Sequence, residues 1–118
     1  MKKINQKNSS DCGICCVAMV LDISYNEAME LLKPHMNDRN YSIDFNKLED
    51  CLIENGCAIK ISEGTPSSKA KNGIIEIRLS DESLHYVVWD SKTKSIIDPK
   101  EAKTDNFIPL RFIEVIKL

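Results

Sequence analysis

Three of the chain's five cysteines, Cys12, Cys15 and Cys16, fall in the stretch "QKNSSDCGICCVAMVL", residues 6–21. Thiols this close together suit four uses: metal ligation, disulfide exchange, core filling or nucleophilic attack. Cys12 and Cys15 have C-x-x-C spacing, but a structural zinc site needs a second pair of ligands. Cys51 and Cys57 straddle a predicted helix end, and His35 and His85 form no paired motif, so neither a metal nor a cofactor is expected. A redox C-x-x-C motif would follow a strand, whereas the residues before Cys12 are polar and unstrandlike. Free cysteine is otherwise a small buried hydrophobe. Cys16, Cys51 and Cys57 fit that role, and Cys15 is open to it. Cys12 differs because it falls where a helix begins. A thiol there meets unsatisfied backbone N–H groups and the positive end of the helix dipole, which favour the thiolate. Gly13 beside it would let another chain approach the backbone.

A thiolate nucleophile needs a base, a group that orients the base, and donors for an oxyanion. His35 lies in "KPHMNDRN" and reads as an exposed loop histidine. His85 opens "HYVVWD", the most strandlike stretch, and Asp98 follows thirteen residues later in "IIDP", at the end of another predicted strand. Alone, His85 would read as a packed strand histidine. Two strands joined by "DSKTKS" would instead bring Asp98 beside it, where a carboxylate fixes the tautomer and stabilises the imidazolium. Pro99 would set the chain direction just beyond. The Cys12 backbone N–H supplies one oxyanion donor and Gln6, a neutral amide six residues upstream, the second. The expected catalytic set is Cys12, His85, Asp98 and Gln6.

These residues need elements to hold them. Ser9, Ser10 and Asp11 are good helix starters, and apolar positions run on to Leu21. "DIS" breaks that helix. "SYNEAMELLK" starts another with a capping box, Ser24 and Glu27, and Pro34 stops it. A third helix fits "DFNKLEDCLIENG", with Phe45, Leu48, Leu52 and Ile53 on one face and Gly56 as terminator. The period then changes. "CAIKIS", "GIIEIRL", "LHYVVWD", "KSIIDP" and "RFIEVIKL" give about five strands, with "EGTPSSKAKNG" as a loop. Helices first and strands second, the strands joined by short turns, define an α+β fold with a mainly antiparallel sheet.

The length of 118 residues suits a single domain spanning 1–118. A 42% hydrophobic and 29% charged composition is that of a globular protein, and a net charge of −2 argues against nucleic-acid binding. The N-terminal residues after Met-Lys-Lys are too polar for a signal peptide, and no apolar run is long enough to span a membrane. Five cysteines, an odd number, point to reduced thiols and a cytoplasmic location.

The pattern Gln-x5-Cys-Gly with Asp before the cysteine, followed by "CCVAMVL", "HYVVWD" and "IIDP", resembles the C39 peptidases. This family of papain-like cysteine peptidases processes bacteriocin precursors. The resemblance runs from Gln6 to Pro99, strongest at the cysteine box. It implies Cys12 as nucleophile, His85 as general base, Asp98 as its orienting partner and Gln6 in the oxyanion hole. It further implies a bacterial thiol peptidase that cuts a peptide or protein after a double-glycine leader site, with a separate exporter as candidate partner. The chain departs from the family pattern in its middle segment, which lacks a glycine-led "G-x-S-L" stretch, and in having no proline ahead of the histidine strand. Two other classes use the same residues: a deamidase or toxin acting by acyl transfer, and a non-catalytic module that binds a leader peptide.

Overall fold

The protein is described from a computed structural model covering residues 1–36, 40–100 and 106–117. Part of the polar segment expected after His35 (37–39) and the last residue of the final predicted strand (118) lie outside the described residues. Three α-helices come first: α1 (Cys12–Leu21), α2 (Tyr25–Leu32) and α3 (Phe45–Glu54). Five strands follow: β1 (Cys57–Glu63), β2 (Gly73–Arg78), β3 (Leu84–Asp90), β4 (Ser95–Ile97) and β5 (Ile108–Lys117).

Helix α1 is made by burial rather than by propensity. Its sequence, CGICCVAMVL, is rich in glycine, cysteine and β-branched residues, which are poor helix formers, and ten residues are too few for a stable isolated helix. Every residue from Gly13 to Val20 is nevertheless buried. Each fully buried aliphatic side chain contributes roughly 1.5–3 kcal/mol, well above the propensity cost of about 0.5 kcal/mol per residue. The helix ends at Asp22, whose left-handed backbone (φ 56°) reverses the chain. The Ile23 N–H then returns to the Ala18 carbonyl at 3.0 Å, as in a Schellman closure. Helix α2 starts with the expected capping box: Glu27 N–H donates to Ser24 Oγ, and Ser24 N–H donates to Glu27 Oε1. It ends at Leu32, and Pro34 lies in a 3-10 turn, Lys33–His35, that extends it.

Two expectations need correction. Ile53 is 55% exposed, and Cys51 takes its place on the buried face of α3 with Phe45, Leu48 and Leu52. Gly13 leaves no opening for another chain: a Cβ there would touch Ile43, Leu48 and Tyr86 at 3.5–3.6 Å, inside the protein's own core.

All strand pairs are antiparallel, in the order β1-β5-β2-β3-β4. Only β2–β3 and β3–β4 join consecutive strands. The short turns expected between consecutive strands occur at β2–β3 and β3–β4, while β5 crosses back to lie between β1 and β2. Gly73 permits the β2–β5 contact, since a Cβ there would lie 2.0 Å from the Ile113 carbonyl oxygen. The helices cover one side of the sheet, burying Ile74, Tyr86, Val88, Ile113 and Val115 with α1 and α3. The alternate residues Ile75, Ile77, Val87, Trp89 and Phe112 form a second cluster.

Candidate active site

Cys12 is the first residue of α1, and its side chain is partly accessible. His85, the second residue of β3, is buried. The β3–β4 register pairs Val88 with Ile97. Asp98 follows immediately after the end of β4, beside the start of β3. The contact is direct: His85 Nε2 meets Asp98 Oδ1 at 2.8 Å. The Lys100 backbone N–H donates to the same oxygen at 2.9 Å, fixing the carboxylate. With Nε2 so engaged, Nδ1 is the ring nitrogen left over, and Cys12 lines the same cavity as His85.

Burial alone would keep His85 neutral. The hydrogen bond to Asp98, then the interaction with Cys12, overcome it and raise the imidazole to about 9. The other thiols are driven the opposite way. Burial pushes Cys15 up to about 12, Cys16 well above its ordinary value, Cys51 up to about 11, and Cys57 upward. The five cysteines are free, and of them only Cys12 lines the cavity that His85 also lines.

Gln6 lies on the segment leading into α1. Its backbone N–H donates to the Pro99 carbonyl at 2.9 Å, tying the segment to the residue after Asp98. Its side-chain Nε2 donates to the Asn8 carbonyl at 3.0 Å and to Asp11 Oδ1 at 3.3 Å. The structure thus brings Cys12, His85 and Asp98 into one chain of contacts, with the Gln6 amide turned into its own loop. Asp11, expected only as a helix starter, makes no capping bond and is fully buried. The sequence signal for this was an acidic residue set among polar ones immediately before the cysteine. His35 also departs from expectation: it is only 10% exposed and pairs with Glu54 at 3.0 Å.

In front of Cys12 and His85 lies a cavity of about 320 Å³, walled by Ser9 and Ser10, by Ser42, Ile43 and Asp44, and by Leu84. The Tyr86 hydroxyl donates to the Ile43 carbonyl at 2.8 Å and holds the 42–44 wall against β3. Among the described residues, no group of three His, Cys, Asp or Glu side chains is placed to hold a metal ion. No single helix there is long and apolar enough to cross a membrane.

A helix-start thiol facing a strand-borne imidazole, in an α+β fold with the helices ahead of an antiparallel sheet, is the layout of papain-like cysteine peptidases. The family model for the peptidase C39 family matches residues 1–106, and the chain belongs to that family. The fold is similar to the crystal structure of the peptidase domain of Streptococcus ComA, a bi-functional ABC transporter involved in a quorum-sensing pathway. The TM-score is 0.74 at 15% identity, over 99% of this chain and 98% of that one. No curated protein sequence matches the chain. Strand β5 lies beyond the family match, yet it is an interior strand of the sheet, between β1 and β2.

Proposed function

We propose that the protein is a thiol peptidase in which Cys12 is the nucleophile, His85 the acid and base, Asp98 the residue orienting His85, and Gln6 an oxyanion donor. One observation carries this reading: of five thiols, only Cys12 stands at a helix start against an imidazole held by a carboxylate at 2.8 Å. The Cys12 thiolate attacks the scissile carbonyl carbon, forming a C–S bond and an oxyanion. The Cys12 backbone N–H and Gln6 Nε2 stabilise that charge. The His85 imidazolium gives its Nδ1 proton to the leaving amine as the C–N bond breaks. Water attacks the thioester, His85 takes its proton, and the C–S bond breaks to release the acid.

Family membership supports a peptide or protein substrate, and the double-glycine leader site is the favoured cleavage point. The likeness to a transporter's peptidase domain supports an exporter as partner, and five free thiols support action in the cytoplasm.

The test combines labelling with turnover. Limiting iodoacetamide at neutral pH should modify Cys12 first, read by peptide mapping. The wild type should release aminomethylcoumarin from a peptide ending in Gly-Gly, and Cys12→Ala should not. Gln6→Ala should alkylate almost normally, because alkylation forms no oxyanion, while turnover falls about a hundredfold or more. First labelling at Cys51 or Cys57 would remove Cys12 from the site. Ammonia release from a glutamine peptide without chain cleavage would favour the deamidase reading.

A further inference from the structure

The Asp11 carboxylate is fully buried at the centre of the loop that carries Gln6 to Cys12. Oδ2 accepts from the Lys7 backbone N–H at 2.9 Å and from the Tyr25 hydroxyl at 2.7 Å. Oδ1 accepts from Gln6 Nε2 at 3.3 Å and from the Asn8 N–H at 3.4 Å. Two backbone donors, one side-chain amide and one phenol from α2 thus converge on a single buried anion. The mechanism assigns it no role. A helix cap does not account for it either, because the side chain makes no bond to α1.

The bonds are unequal. Those to Oδ2 are short and those to Oδ1 are long. Tyr25 and the Lys7 N–H draw on the carboxylate charge and leave Oδ1 a weak acceptor for the Gln6 amide. Desolvation, then the hydrogen bond to Asp11, raise the Tyr25 phenol above its usual range, so it stays a donor. The Gln6 amide therefore has one firm bond, to the Asn8 carbonyl, which sets its plane, and one loose bond, to Asp11. The loose N–H can transfer to an oxyanion while the firm one holds the group in place. Without the carboxylate, the Lys7 and Asn8 N–H groups lose their common acceptor and the loop bearing Gln6 loses its curl.

We infer that Asp11 and Tyr25 are a positioning pair for the oxyanion donor: they shape the 6–11 loop and hold the Gln6 amide ready to be released to the transition state. This rests on the oxyanion role proposed for Gln6, and it adds two residues that touch neither substrate nor reacting atoms. Tyr25 stands fourteen residues from Asp11 on a different helix, so the oxyanion donor is buttressed from α2 rather than from the helix that bears the thiol.

The experiment is a double-mutant cycle with two readouts: hydrolysis of a Gly-Gly-aminomethylcoumarin peptide and alkylation of Cys12 by iodoacetamide. Tyr25→Phe removes one hydrogen bond at the edge of the cluster. It should lower kcat about fivefold, the scale of one net hydrogen bond, with KM and the alkylation rate nearly unchanged. Asp11→Asn should lower kcat further, up to the loss seen in Gln6→Ala. In the Gln6→Ala background, Tyr25→Phe should have almost no further effect, because the group it positions is gone. A merely structural pair would lower alkylation and turnover together, and Tyr25→Phe would cost the same factor with or without Gln6; either result overturns the inference. If Asp11→Asn does not fold, the Tyr25→Phe cycle decides alone. Normal hydrolysis by Gln6→Ala itself would refute the proposed role of Gln6, which separates that failure from failure of the positioning pair.

Discussion

The molecule holds two histidine–carboxylate contacts of nearly equal length and unequal surroundings. His35 meets Glu54 at 3.0 Å across the 3-10 turn and the end of α3, and His85 meets Asp98 at 2.8 Å across β3 and β4. Distance does not separate them. Glu54 is 61% exposed, whereas Asp98 is 17% exposed and also receives the Lys100 N–H. Water and salt screen the first pair, and an exposed ion pair is worth about 0–1 kcal/mol. The second pair is shielded, and its imidazole has a thiol on its other side. A chemically useful histidine is thus marked by what the carboxylate is denied, solvent, and by what the second ring nitrogen faces.

The largest expected contrast is between the histidines themselves. His85→Ala should reduce peptide turnover by about a thousandfold and slow Cys12 alkylation, since it removes the charge partner and the proton donor together. His35→Ala should leave both rates within about twofold. A His85→Ala protein with wild-type kcat would collapse the distinction between the two pairs.

A smaller contrast separates the carboxylates. Asp98→Asn should keep the fold and lower kcat about a hundredfold, because an amide can favour the wrong tautomer and no longer stabilises the imidazolium. Glu54→Gln should change turnover little and stability by less than about 1 kcal/mol in urea unfolding.

The pH dependence sharpens the comparison further. The folded value of His85 is raised to about 9 from an ordinary value of 6.5. Its contribution to stability is therefore complete below about 6.5 and is lost as pH rises through about 9. Turnover should fall over the same upper range as the ring loses the proton it donates. In Asp98→Asn the descending limb should move to lower pH, while Glu54→Gln should leave it in place. A limb that ignored Asp98 would assign the transition to another group.

Much of this was readable from residue order alone. The change from a 3.6-residue to a two-residue period near Cys57 separates helices from strands, and Ser24 with Glu27 marks the start of α2 by local chemistry. Cys12, His85 and Asp98 could be nominated because a helix start and a two-strand turn are short-range features that bring them together. What escaped depends on distant partners. No local signal places β5 between β1 and β2, since that pairing is settled by which strands can bury Ile113 and Phe112 together. Helical spacing cannot distinguish Ile53 from Cys51 at the margin of a buried face. It also says nothing of a glutamate nineteen residues away that covers His35. The burial of Asp11 was hidden for the same reason: its shortest bond comes from Tyr25 on the next helix.

The position of β5 also bears on when the protein becomes active as it is made. During synthesis β1, α1 and the β2–β3–β4 meander all leave the ribosome before Ile108 does. Among the described residues β1 pairs with β5 alone, and one side of β2 is likewise open until then. A nascent chain can hold Cys12, His85 and Asp98 and still lack the strand that joins β1 to β2 in the sheet on which the helices pack. Non-local strand pairing is slow because loop closure precedes its reward. The sheet that carries His85 is therefore completed late, only after β5 has emerged.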